Sequence, residues 1–364
     1  MDNDAENNGG GFYAEAGAAP ILHRCVFRRN RASSGGGASL FDTHAGPRVE
    51  ECLFEDNAAI GMGGAVAFEG HGTPSMTGCT LRANFGDAGG AVSVSAGMAR
   101  ITGCRFESNG ATYGGAIDLQ SGEGVKLVAC EFLHNRAASE GGALHGSSSV
   151  FAAEDCRIVE NTTEGTGGAG YFRDSSGTLL RSSVLRNVAA QWAGGFLLLH
   201  GRFAAVEGEF IANGLALSAV EPEFDVDARA NFWGDATGPF HPIANPDGLG
   251  DEVSDRVLFD PWEASSDAAD DPGAPAGPAP RSGALAILPN PSKAGDPVRI
   301  VLGRACDAGG GAVFDVAGRR VRVLAASPDG ILRWDGRDAA GNPCAPGVYV
   351  VRLAARSGTV VKLP

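Results

Sequence analysis

Cys130-Glu131-Phe132-Leu133-His134-Asn135-Arg136-Ala137-Ala138-Ser139-Glu140-Gly141-Gly142-Ala143-Leu144 decides the fold, because its pattern recurs along most of the chain. Working outward from Asn135, equivalent asparagines stand at Asn3, Asn30, Asn57, Asn84 and Asn109 and then at Asn161, Asn187 and Asn213, spaced 25 to 27 residues apart. Five positions before most of them lies a cysteine: Cys25, Cys52, Cys79, Cys104, Cys130 and Cys156, with Ser182 and Gly208 taking over later. Three positions before lies an apolar residue, Phe27, Phe54, Leu81, Phe106, Phe132, Ile158, Val184 or Phe210. A glycine pair follows most of them, read as Gly36-Gly37, Gly63-Gly64, Gly89-Gly90, Gly114-Gly115, Gly141-Gly142, Gly167-Gly168 and Gly194-Gly195. A fixed period of this length marks a solenoid, in which each repeat stacks on the next.

The repeats carry no apolar residues at helical spacing. They carry short alternating runs, such as Ala65-Val66-Ala67-Phe68 and Ala116-Ile117-Asp118-Leu119, that suit half-buried strands. Lys126-Leu127-Val128-Ala129-Cys130-Glu131-Phe132 supplies a further strand. Two or three strands with tight turns make one coil of a parallel β-helix, hydrogen-bonded to the next at about 4.8 Å. Identical residues then form ladders. The asparagines Asn30, Asn57, Asn84, Asn109, Asn135, Asn161 and Asn187 are expected to bond to one another and to turn backbone. The phenylalanine column fills the interior, and cysteine is read beside it as a small apolar residue. Glycine, 55 of 364 residues, is about twice as frequent as the usual ~7%, because the corners require a positive φ or a close backbone approach.

The linked Phe-x-x-Asn and Gly-Gly-Ala motifs of residues 1 to about 215 resemble the repeats of polymorphic outer-membrane proteins and related right-handed parallel β-helix proteins of the pectate-lyase-like superfamily. The segment Asn231-Phe232-Trp233-Gly234, Gly238-Pro239, Asn245-Pro246, Gly250-Asp251 and Pro261-Trp262 resembles the closing block of bacterial β-helices. Trp233 and Trp262 are suited to cover the open end of a solenoid.

Residues 263–284 are rich in Pro, Ala and Gly and read as an extended linker. Beyond it, short strand patterns such as Val298-Arg299-Ile300-Val301 and Val348-Tyr349-Val350-Val351 predict a small β-sandwich over 285–364. Pro289-Asn290-Pro291, Phe314-Asp315-Val316-Ala317-Gly318-Arg319, Trp334-Asp335-Gly336-Arg337-Asp338 and Gly347-Val348-Tyr349 resemble the immunoglobulin-like module related to the flagellar hook-capping protein. They are also similar to C-terminal type IX secretion sorting domains. The expected architecture is therefore all-β: a right-handed parallel β-helix over 1–262, with its closing segment from about 214, then a linker and an Ig-like domain serving secretion or attachment.

A net charge of −14 argues against nucleic acid as a partner, and no apolar run is long enough to span a bilayer. The start, Met1-Asp2-Asn3-Asp4-Ala5-Glu6, falls inside a repeat and does not read as a signal peptide, so an N-terminally truncated chain is expected. The resemblances imply an extracellular or bacterial cell-surface location. The six column cysteines have no Cys-x-x-Cys pairs and read as buried thiols. Cys306 and Cys344 could be bridged in an extracytoplasmic domain.

For chemistry, Gly70-His71-Gly72 resembles a polygalacturonase segment, but no coil-borne pair of aspartates accompanies it. It reads as a turn. Asn161-Thr162-Thr163 matches a glycosylation acceptor, yet Asn161 is a ladder position. Asp247 and Asp251 in a Gly-rich loop are a weak calcium signal, and no cofactor, metal site or catalytic residue is expected. Aligning the strands after Gly-Gly gives an exposed column Leu40, Ala67, Ser93, Asp118, His145, Tyr171 and Leu198, and a second column Asp42, Glu69, Ser95, Gln120, Ser147, Arg173 and His200. Asp118, Gln120, His145, Tyr171, Arg173 and His200 are thus expected to cluster on one face, able to hold a glycan or a protein loop. The expected function is an adhesin-like recognition scaffold without catalysis. The alternative is a polysaccharide lyase or glycoside hydrolase whose catalytic coils are missing or unrecognised.

Overall fold

The computed structural model describes residues 2–15, 17–41, 46–70, 72–95, 97–120, 124–266, 286–288, 298–301, 311–315, 319–324, 331–345, 347–353 and 356–362. The chain divides into two compact units, Met1–Ala269 and Asp270–Pro364. Every regular element among the described residues is a strand.

One coil shows how the first unit is built. Met98–Thr102 leads to Arg105–Glu107; Asn109 turns the chain into Gly110–Tyr113, and Gly114-Gly115 turns it again into Ile117–Gln120. Each of these strands pairs in parallel with its equivalents one coil before and one coil after. The stacked strands form long parallel sheets along the solenoid, and the strands holding the phenylalanine column make an eight-stranded sheet among the described residues.

Each corner has its own cause. The first glycine of the pair sits at positive φ, as Gly114 does at 62°. The second admits the next coil: a Cβ on Gly115 would lie 2.1 Å from the carbonyl oxygen of Gly142. At the other two corners the left-handed residue is mostly not glycine, Gly78 and Gly103 before Cys79 and Cys104 being the exceptions. Arg24, Glu51, Ala129, Asp155 and Arg181 precede the cysteine column, and Asp56, Ser108, His134 and Glu160 precede the asparagine column, with φ between 45° and 55°. Such a conformation costs a residue with a Cβ about 1–2 kcal/mol. The side chain that follows each corner supplies the compensating bonds.

Those bonds run through the ladders. Asn135 donates its backbone N–H (2.9 Å) and its amide (2.9 Å) to Oδ1 of Asn161, and its amide also to the carbonyl of Phe106 (3.0 Å). Its own Oδ1 accepts the same pair of donors from Asn109, at 3.0 and 2.9 Å. The pattern repeats from Asn30 to Asn213, where the carboxylate of Asp251 takes the place of the next amide and accepts both donors at 2.8 Å. Asp251 therefore closes the ladder, which gives it a role other than the calcium ligation its loop suggested; Asp247 is exposed.

The cysteine column is not simply apolar. Its thiols are free, and all but Cys25 are buried. Yet Cys52 Sγ accepts the N–H of Cys25 (3.3 Å) and donates to the carbonyl of Glu50 (3.2 Å). Ser182 does the same work with its hydroxyl, accepting from Cys156 (3.0 Å) and donating to Leu180 (2.9 Å). Hydrogen bonds from the adjacent sulfur, with burial added, push the Cys52 and Cys79 thiols up, that of Cys79 to about 12. Where Gly208 leaves a gap, Asn231 Oδ1 receives the backbone N–H at 2.8 Å.

Beside these columns the aromatic rings stack, Phe27 on Phe54 at 4.7 Å and Phe106 on Phe132 at 4.8 Å. Trp233, fully buried, continues the stack over Phe210 at 4.9 Å and ends it. Trp262 packs against Phe259, with its ring where a Cβ on Gly238 would be.

In the second unit, Ala286–Leu288, Val298–Val301 and Ile331–Trp334 form one antiparallel sheet; Gly311–Asp315, Arg320–Leu324, Gly347–Leu353 and Arg356–Lys362 form another. Val298, Val313, Leu324, Leu332, Trp334, Tyr349 and Val351 make a separate core. Pro289-Asn290-Pro291, Cys306 and most of the linker, including Asp270-Asp271, lie outside the described residues, as do Asp42 and His71.

Candidate functional site: a crease along the Gly-Gly turns

The strand after each Gly-Gly turn alternates inward and outward, and the turn folds it back against the strand before. The outward side chains therefore stand in a crease and not on an open face. Strand pairing gives the column as Tyr13, Ser39, Ala67, Ser93, Asp118, His145, Tyr171, Leu197 and Ser218. From Ser39 onward all of these are buried, although none of the larger ones belongs to the main core; Tyr171 and Leu197 form a small cluster of their own.

This corrects the sequence reading in two ways. Leu40 and Leu198 are core residues, because the true turns are Gly35-Gly36 and Ala193-Gly194. Gly37 and Gly195 fill the position that Ala65 and Ala91 hold elsewhere. The outer column likewise runs Phe41, Glu69, Ser95, Gln120, Ser147, Arg173 and Leu199. His200 falls out of it, at a bend with φ 56°, exposed between Asp174 (3.1 Å) and Glu221 (3.3 Å). Exposure is the second correction: Asp118 and His145 are nine-tenths buried or more, since the crease excludes water from outward positions. Asp118, His145 and Tyr171 are brought together, and Gln120, Ser147 and Arg173 line the rim above them.

The opposite wall was not seen in the sequence reading. It is the residue just before each turn: Met62, Ala88, Tyr113, Glu140, Thr166 and Trp192, in register from coil to coil. Its signal is a position that varies just before a turn that is a glycine pair in nearly every coil. The walls meet at His145. Nδ1 lies 2.5 Å from Asp118 Oδ1 and Nε2 lies 3.4 Å from Glu140 Oε2. The imidazole sits between Tyr113 (5.4 Å, tilted) and Tyr171 (5.6 Å, stacked within 5°). Burial alone would lower its pKa, but hydrogen bonds to Asp118 and Glu140 outweigh that and raise it to about 9. At neutral pH the ring is an imidazolium held by two carboxyl groups.

Such an arrangement fixes side chains more than it offers a free base, because both ring nitrogens are occupied. Among the described residues no group of three His, Cys, Asp or Glu is placed to hold a metal ion. Asp118 Oδ2 and Ser93 Oγ, on adjacent coils, are buried without a hydrogen-bond partner among the described residues. Asn161, the nominal glycosylation acceptor, is fully buried with its amide in the ladder.

Residues 61–211 match the family model described as a right handed beta helix region. The solenoid is a right-handed parallel β-helix. The match spans coils from Gly61 onward and so includes both walls of the crease. No curated protein and no solved structure matches the chain.

A second concavity of the β-helix, a cleft of about 520 Å³, opens where the cysteine column gives way to Ser182 and Gly208; Arg181, Glu207, Glu209, Phe232 and Glu263 line it. Arg181 is turned toward Glu154 and Asp155, and Glu209 accepts from Ser266. Both are engaged within the fold.

Proposed function

We propose that the protein is an exported bacterial surface or secreted β-helix of adhesin-like character, which recognises a glycan or protein and does not turn it over. The single observation that carries this reading is the crease. It lies outside the core, it is the place where the repeat stops repeating, and it collects rings, a charged imidazole and hydrogen-bonding rim groups in four successive coils. Aromatic faces with polar tips beside charged donors are the usual chemistry of recognition. The C-terminal unit, by the resemblance of its motifs, serves secretion or attachment. Fold alone does not decide between binding and catalysis, so the test must.

Two measurements on the full chain make that test. Immobilised glycans and extracellular matrix proteins are screened for retention of the wild type and of Gln120→Ala/Arg173→Ala, which alters only the rim. Acidic and neutral polysaccharides are assayed in parallel for new unsaturated or reducing ends. Retention that the rim variant loses, with no product, is the expected result. Product release abolished by His145→Gln would instead make the protein a lyase or hydrolase. Retention untouched by the rim variant would place recognition on another face.

A further inference from the structure

The crease has a length and a chemistry that narrow its ligand. Tyr113 and Trp192 stand in one wall, three coils apart, and so about 14 Å apart along the axis at about 4.8 Å per coil. Both remain well exposed, at 36% and 39%. Trp233 and Trp262 close the solenoid, and Tyr171 lies buried beneath the rim. Tyr113 and Trp192 present their rings to solvent and have no place in the main core. Between them on the same wall come Glu140 and Thr166, partly exposed. Facing them are Gln120, Ser147 and Arg173, the last exposed.

We infer that the four coils from Asn109 to Asn187 form a linear binding site for a neutral glycan lying along the solenoid axis, with sugar faces on Tyr113 and Trp192. The inference rests on the recognition reading above and names its ligand class. Sugar rings present apolar C–H faces that stack on aromatic rings, and hydroxyls that both donate and accept. Glu140 offers an accepting oxygen, Thr166 and Ser147 offer hydroxyls, Gln120 offers both an acceptor and a donor, and Arg173 offers donors. A peptide strand would look for an open sheet edge, whereas here the strands bearing Tyr113, Gln120, Ser147 and Arg173 are paired on both sides, and the open edge among the described strands of these coils is the two-residue Val188–Ala189. The net charge of −14 disfavours a polyanionic chain. His145 is neutralised by Asp118 and Glu140, so it gives an acidic sugar no free counter-charge. Its role is to set the tilt of Tyr113 and to hold the wall.

Titration calorimetry of the full chain with cellohexaose, mannohexaose and hexagalacturonate tests this, with thermal melts confirming that each variant is folded. A neutral hexasaccharide should bind; Tyr113→Ala and Trp192→Ala should each weaken it about tenfold, near 1.4 kcal/mol, and the double variant should abolish it. A disaccharide, too short to reach both rings, should bind far more weakly and be insensitive to one of the two changes. Neutral binding that ignores both substitutions overturns the site. Preference for hexagalacturonate, lost in the same variants, overturns the neutral class but leaves recognition at the crease standing. Binding of none of the three overturns the glycan inference, and the protein arm of the earlier screen then judges the recognition reading by itself.

Discussion

The columns flanking each asparagine and the columns flanking each Gly-Gly turn obey opposite rules. The first repeat almost without change: Asn30 to Asn213, Cys52 to Cys156, Phe54 to Phe210 with aliphatic substitutes. Each asparagine and cysteine satisfies a corner of its own coil and a donor of the coil before, and the phenylalanines stack between them. The second change at every step, Ser93, Asp118, His145, Tyr171 on the floor and Ala88, Tyr113, Glu140, Thr166, Trp192 on the wall, though most of the floor is just as buried. Burial therefore does not separate frame from site here. What separates them is whether a side chain bonds the backbone of the coils or another variable side chain.

Substitutions at four positions can break or sharpen that contrast. The largest effect belongs to Asn135→Ala, which strands the N–H and amide of Asn109 and the carbonyl of Phe106. At about 1–3 kcal/mol for each orphaned group, a loss of about 4 kcal/mol is expected from urea denaturation, and a loss under about 1 kcal/mol would refute the ladder.

Next comes His145, whose bonds join variable side chains only. Its folded pKa is raised from 6.5 to about 9, so its contribution is complete below about pH 6.5 and is lost as pH rises through about 9. That contribution is worth about 3 kcal/mol. His145→Gln should remove this decline from the stability–pH profile; an unchanged profile would mean the imidazolium is not held as described.

Asp251 gives a somewhat smaller effect, about 2–3 kcal/mol. Burial, opposed by the hydrogen bonds of Asn213, raises its carboxyl from 3.8 to about 6. The folded state then keeps a proton that the unfolded state has lost, so the contribution is full below about pH 3.8 and disappears as pH rises through about 6. Compared with Asp251→Ala, the wild type should lose stability between those values, read as a divergence of the two melting curves.

The smallest effect is Cys104→Ser, at about 1 kcal/mol or less, because Ser182 already fills this position in the same bonds. Cys104→Val should cost more, since it strands the N–H of Cys79. If valine is the better replacement, the column is apolar after all.

Much of the frame was legible because stacking turns one coil's requirements into a sequence period. Nine asparagines in register announce a ladder, and glycine pairs announce corners. Less legible were features without a residue signature. The left-handed corners at Arg24, Ser108 or His134 use ordinary side chains, held there by the ladder residue that follows. Three glycines at Gly35-Gly36-Gly37, and Ala193 in place of a glycine, hid which pair makes the turn, and a slip of one residue exchanged Leu40 for Ser39 and Leu198 for Leu197. The period-two pattern also equates outward with exposed. It carries no hint that the turn folds two strands into a crease, so Asp118 and His145 were placed on the right column but in the wrong environment, and Tyr113, Glu140 and Trp192 were passed over.

The most direct test compares urea midpoints of the folded chain for Asn135→Ala and for Tyr113→Ala/Trp192→Ala under identical conditions. If repeated columns hold the fold and the crease wall is free of that duty, the asparagine variant falls far below the wild type while the double variant stays close to it. A double variant that falls as far as Asn135→Ala would contradict the division, and would make the crease wall part of the frame.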